Sequence, residues 1–232
     1  MKTKRVSKVL AEKEDRNAGR IEAVRPRIVA AARTMFFQRG FLRVTADEIA
    51  AELGISKATL YKAFPSKEEM LGAAVREVIN EMAARVERLI GDDSPGFVEK
   101  MVALFTFLGT RLSQFGPLLL GDIQKSAPGI WKEIDEFRRD KIFRNFKVIL
   151  EAGRREGFFR EDVDLDILLQ MFISLIQEFV NPAAILRSGR SPAATFESVI
   201  KVFFQGILTD KGRLGFSDRT PALFEPRKEG VS

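Results

Sequence analysis

The 232-residue sequence contains no cysteine and no histidine, and only one tryptophan and one tyrosine. Without cysteine there is no disulfide framework, no thiolate metal site and no cysteine nucleophile. Without histidine the commonest catalytic base and the commonest transition-metal ligand are gone. Most hydrolase and zinc-enzyme chemistry is thereby excluded, and neither a metal nor a cofactor is expected. Long apolar runs are lacking too: the longest stretch without a charged residue, Ile167 to Gln177, is eleven residues, against the roughly 20 that a bilayer-spanning helix needs. Met1 to Arg20 is charged throughout with no apolar core, so it does not read as a signal peptide. The expectation is a cytoplasmic protein without membrane attachment. What is present, 45% hydrophobic and 30% charged side chains, is the composition of a globular chain with room for one large or two modest domains.

The net charge of +6 is unevenly placed. Residues 1–64 hold 14 Lys and Arg against 7 Asp and Glu, and residues 65–232 hold 24 against 25. All of the positive excess therefore lies in the first quarter of the chain. Basic termini can simply be solvated; a basic segment followed by a neutral, apolar body also fits nucleic-acid binding at one end.

Apolar spacing is helical almost throughout. Val24, Ile28, Ala31, Ala32, Met35 and Phe36 form one stripe of a helix whose first turn takes Pro26 and which stops at Gly40. Thr45-Ala46-Asp47-Glu48 is a capping box opening a helix of about two turns that ends at Leu53-Gly54. Ser56 caps a short helix to Ala63, and Ser66 to Glu69 opens a fourth, about 25 residues long. After the break at Gly91 to Gly96, further helices are expected at about 97–115, between Gly116-Pro117 and Pro128-Gly129, at about 130–156, from Asp164 with Pro182 kinking or shortening its end, and from Ser191-Pro192 to about Asp210. The fold class is all-α, with about nine helices. The expected division is a flexible basic arm at 1–20, a helix-turn-helix domain at 21–66, a larger helical domain at 67–211 with the fourth helix as connector, and a loosely ordered tail at 212–232.

Two short helices separated by a turn centred on Gly54 have the layout of a helix-turn-helix. Ile49, Leu53, Ile55, Leu60 and Phe64 face inward. Lys57, Ala58, Thr59, Tyr61 and Lys62 point outward, a surface able to enter a major groove. An ordinary helical hairpin with its charged face in water has the same periodicity.

The residues themselves resemble a known family. Ile28 to Ala32, Phe36, Gly40-Phe41, Thr45, Ile49-Ala50, Leu53 to Tyr61, Phe64 to Lys67 and Leu71 are similar, in type and spacing, to the N-terminal domain of TetR-type transcriptional repressors. The resemblance implies a homodimeric, all-helical repressor of operator DNA with a three-helix DNA-binding domain and a larger effector-sensing domain. It further implies DNA contacts from Arg43, Thr45, Ser56, Lys57, Ala58, Thr59, Tyr61 and Lys62, with Lys67 as a phosphate-clamping lysine at a helix amino end. One departure is Ala63, where many members carry His, Tyr or Arg.

Beyond that domain the resemblance is one of architecture. It implies an apolar, aromatic effector pocket, for which Met82, Val86, Met101, Phe105, Leu108, Trp131, Phe143, Phe146, Phe172 and Gln177 are the candidates. It also implies a four-helix dimer interface from the helices at about 164–186 and 192–208, through Phe172, Ile176, Phe179, Val199, Phe203 and Ile207. Fourteen of the twenty phenylalanines lie between Phe97 and Phe204, and such stripes serve a core as readily as a pocket. Two other functions compete with this reading. An enzyme using Glu133, Asp135, Glu136 or Glu178 would need opposed carboxylates in a cleft; a DNA-binding protein without an effector would have no pocket.

Overall fold

A computed structural model describes residues 2–217, as eleven helices: α1 (Lys2–Arg39), α2 (Ala46–Leu53), α3 (Lys57–Ala63), α4 (Lys67–Gly91), α5 (Phe97–Leu112), α6 (Pro117–Ser126), α7 (Pro128–Arg155), α8 (Leu165–Phe179), α9 (Pro182–Ser188), α10 (Pro192–Ile207) and α11 (Asp210–Ser217). Among these residues no strand is present beyond one isolated bridge, Phe159 with Leu208. The all-α class follows from the sequence; the count exceeds the expected nine by two.

Each difference from the expected elements has a local cause. Residues 2–20, expected as a flexible arm, continue α1, because helix-favouring Lys, Arg, Glu, Ala and Leu make up most of them and they contain no proline. Pro26 consequently lies in the interior of α1, not in its first turn, and removes one i→i−4 hydrogen bond there. Pro182 does more than kink the preceding helix. Asn181 caps a separate helix through Ala184 N–H, and α9 departs from α8 at 61°. The segment 210–217, placed mostly in the loose tail, is α11, and the rest of that tail lies outside the described residues.

The chain divides into two compact units, Met1–Val78 and Ile79–Ser232. The division falls within α4 and not before it, since the first turns of α4 bury Met70, Leu71, Ala74, Val75 and Val78 in the N-terminal unit. In that unit α1 packs on both α2 and α3. Its core joins Ile28, Phe36, Phe41, Ile49, Leu60 and Leu71, all essentially without solvent contact. Phe36 and Phe41 meet edge to face at 5.3 Å across the Gly40 turn, a favoured aromatic geometry.

The second unit is built on phenylalanine. Phe146 of α7 stacks on Phe172 of α8 at 3.7 Å, and Phe203 of α10 meets both rings, at 5.6 and 5.2 Å. Phe204 connects this group to Phe105 of α5 at 4.9 Å and to Phe159 at 5.5 Å. Among the described residues no single helix is long and apolar enough to cross a membrane.

After α7 the chain turns back at Gly157, and Phe159 seats its ring against the helix it has just left. The N–H groups of Phe158 and Phe159 both donate to Gly153 O, at 2.8 and 3.2 Å. A Cβ at Gly153 would lie 2.2 Å from the Phe159 ring, itself fully buried. Gly153→Ala is therefore expected to overpack this corner and cost about 1–3 kcal/mol, seen as a lower midpoint in thermal unfolding followed by circular dichroism. An unchanged midpoint would mean that the ring has somewhere else to go.

Candidate nucleic-acid interface and ligand cavity

The helix-turn-helix is assembled from caps. Thr45 accepts from Glu48 N–H while the Glu48 carboxylate accepts from Thr45 N–H at 2.8 Å and from the Thr45 hydroxyl at 2.9 Å. Arg39 adds an ion pair to the same carboxylate; together these donors, the guanidinium first, hold the Glu48 carboxyl down at about 2. Gly54, at φ 64°, ends α2: its N–H bonds Ala51 O at 3.1 Å and Ile55 N–H bonds Ala50 O at 3.0 Å. Only a residue at ease in the left-handed region makes this turn without strain. Ser56 then caps α3 by accepting from Thr59 N–H at 3.1 Å.

Three of the basic side chains of this unit work inside it. Arg25 donates to Ala63 O, at the end of α3, and lies 4.3 Å over the Phe64 ring. Arg27 reaches Leu53 O, at the end of α2, at 3.4 Å. Lys67 donates to Phe41 O at 2.9 Å and Val44 O at 3.0 Å, with its ammonium 4.3 Å over the Phe41 ring. It is half-buried, and its ammonium holds together the loop between α1 and α2.

The remaining predicted contacts lie where a groove could meet them. Arg43, Thr45, Ser56, Lys57, Ala58, Tyr61 and Lys62 are exposed. Thr59 is only half-buried on this face, and its hydroxyl is 2.9 Å from that of Ser56. Lys57 is paired with Asp47 at 3.0 Å, and this contact raises the ammonium's pKa. Such an exposed pair is worth little in water, so a phosphate can replace Asp47. Arg43 and Lys62 have no partner among the described residues.

The second unit contains a cavity of about 210 Å³. Of the predicted lining residues, Met82, Val86, Phe105, Leu108, Trp131, Phe146 and Phe172 do face it. Three do not. Met101 is one turn too early on α5 and lies in the solid core, Phe143 is on the outer side of α7, and Gln177 lies between Ile176 and Val180, which do line the cavity. Four polar residues that the sequence reading missed join the wall: Arg138, Lys141, Asn145 and Asn181. The first three are spaced i, i+3 and i+7 on α7, so the apolar stripe sought in the sequence hides them.

The residues expected at the dimer interface lie mostly inside the protomer. Phe172, Ile176, Phe203 and Ile207 belong to the protomer's own core, and Val199 is half-buried against it; of the six only Phe179 is exposed. The outward sides of the same two helices carry other apolar groups, Ile167 and Met171 on α8 and Val202 on α10, the last 73% exposed.

Residues 28–74 match the family model of the bacterial regulatory proteins of the tetR family. Over these residues the chain carries a DNA-binding domain of the tetR type. Over 185 residues it is 25% identical to YvaF of Bacillus subtilis (strain 168), an uncharacterized HTH-type transcriptional regulator, with 80% of this chain and 96% of that protein covered. KstR2 of Mycobacterium tuberculosis (strain ATCC 25618 / H37Rv), an HTH-type transcriptional repressor, is 27% identical over 157 residues, covering 66% of this chain and 78% of KstR2. The complex of triclosan with SmeT, the repressor of the Stenotrophomonas maltophilia multidrug efflux pump SmeDEF, shares the fold. Its TM-score is 0.60 at 19% identity, with 90% of this chain and 98% of that one covered.

Within the TetR-family domain the two kinds of lysine separate experimentally. Lys62→Ala is expected to lower the slope of log affinity for DNA against log salt by about 0.9, one phosphate contact's worth, with thermal stability unchanged. Lys67→Ala should instead destabilise the N-terminal unit by about 1–3 kcal/mol, because two carbonyls lose a charged donor. A Lys67→Ala protein as stable as the parent would return Lys67 to the surface role.

Proposed function

We propose that the chain is a dimeric repressor that binds operator DNA through α3 and releases it when a small hydrophobic or aromatic effector fills the cavity of the second unit. One observation carries this reading: a tetR-type helix-turn-helix and an apolar cavity occupy the two units of one chain, and α4 runs through both, from Lys67 to the cavity residues Met82 and Val86. The known complex of SmeT with triclosan supports small-molecule binding by this fold. A DNA-binding protein without an effector would leave the cavity without a purpose. Its place of action is the cytoplasm, on double-stranded DNA.

An effector relieves repression only if it prefers the arrangement in which two recognition helices no longer match successive major grooves, about 34–36 Å apart. Trp131, the only tryptophan, lines the cavity. Effector binding is expected to change its fluorescence over the concentration range that releases operator, and operator should weaken effector binding by the same factor. An effector whose affinity is indifferent to operator rules this coupling out.

Dimerisation through the outward sides of α8 and α10 is self-complementary under two-fold symmetry. Met171→Asp with Val202→Asp is expected to give a folded monomer in analytical ultracentrifugation, since neither side chain is in the core. Phe203→Asp should unfold the protomer instead, because its ring packs on Phe146, Phe172 and Phe204. A fully dimeric double variant would move the interface elsewhere.

A further inference from the structure

The cavity wall is apolar but for a few groups on α7 and at the start of α9, and their engagement differs. Lys141 forms an ion pair with Glu87 at 2.5 Å. Asn181 accepts from Ala184 N–H and donates to Gln177 O and Glu178 O, all at 2.8 Å, so it has nothing left to offer. Arg138 is different. Its Nη1 donates to Val180 O at 3.0 Å and its guanidinium lies 5.7 Å from the Trp131 ring. Among the described residues it has no ion pair, and Nε and Nη2 have no hydrogen-bond acceptor. Asp135, whose charge Arg138 feels, pairs with Arg139 at 3.4 Å. Desolvation pushes the Arg138 guanidinium's pKa down, yet a guanidinium stays charged in a protein.

A cation held in an apolar wall with no carboxylate in direct contact is costly, and it becomes favourable once an anion meets it. A guanidinium has planar donors suited to a carboxylate, and a charge-assisted hydrogen bond away from bulk water is among the stronger ones. Building on the effector reading above, we propose that the cavity's ligand is an amphipathic acid: a carboxylate on Arg138, with an apolar body against Phe105, Phe146 and Phe172. The cavity, about 210 Å³, is below the roughly 300–1,000 Å³ typical of drug-sized ligands, so the acid is a small one.

The test compares octanoate with its neutral counterpart 1-octanol at neutral pH, on the full chain, by Trp131 fluorescence and thermal shift. Octanoate is expected to bind at least about tenfold more tightly. The acid-to-alcohol ratio should fall to near one in Arg138→Gln and survive in large part in Arg138→Lys. If Arg138→Gln fails to fold by circular dichroism, the ratio in the parent and in Arg138→Lys still decides. Equal binding of the two ligands by the parent overturns the acid assignment and leaves a neutral hydrophobic effector standing. A preference for the acid that persists in Arg138→Gln overturns the role of Arg138. Binding of neither ligand overturns the proposal together with the use of this cavity as an effector site.

Discussion

Helices of seven and eight residues do not persist alone in water, and α2 and α3 are that short. Their existence depends on filling the hydrogen-bonding groups at their ends. Thr45 and Ser56 fill the amino ends, and Arg27 and Arg25 of α1 reach the carboxyl ends at Leu53 O and Ala63 O. Cations at helix carboxyl termini also oppose the negative end of the dipole. The loop before α2 depends on Lys67 in the same way. The shape of the reading surface is thus set by charges that point inward, and the charges left for DNA are fewer than composition suggests.

That distinction limits what charge counting reveals. The excess of seven positive charges in the first 64 residues locates the nucleic-acid end of the chain, but composition cannot separate an arginine that caps a helix from one that meets a phosphate. Caps were legible because they are local: Thr45 with Glu48, Gly54, Ser56 and Ser66 with Glu69 each act within a few residues. Lys67 with Phe41 and Arg25 with Ala63 join residues 26 and 38 positions apart, and no periodicity encodes such pairs.

In the second unit the same limit appears in another form. Helical spacing places Phe172, Ile176, Phe203 and Ile207 correctly on the apolar faces of α8 and α10, but does not say whether an apolar face meets its own chain or another one. Both helices are apolar on more than one side. The more regular stripe went to the protomer's core, and the scattered groups Ile167, Met171, Phe179 and Val202 stayed outside. The cavity lies beside the packed phenylalanine rings. Phe105, Phe146 and Phe172 each pack one side of the ring on a neighbouring phenylalanine and also border the void.

Helix α8 consequently has two tasks. Phe172, Ile176 and Val180 at its inner side and end border the cavity, while Ile167, Met171 and Phe179 face outward. A helix is stiff along its axis and its core packing is not continuously deformable. A ligand that displaces Phe172 must either move Phe146, which stacks on it at 3.7 Å, or move α8 as a body. The second course carries the outward side chains with it. Arg138 bears on the same joint: its hydrogen bond to Val180 O sits where α8 ends and the chain bends into α9. An acid that drew the guanidinium toward itself would loosen this tie at the moment the cavity fills. Ligand charge and ligand bulk would then act on one helix, and its outward side chains Ile167, Met171 and Phe179 would register both.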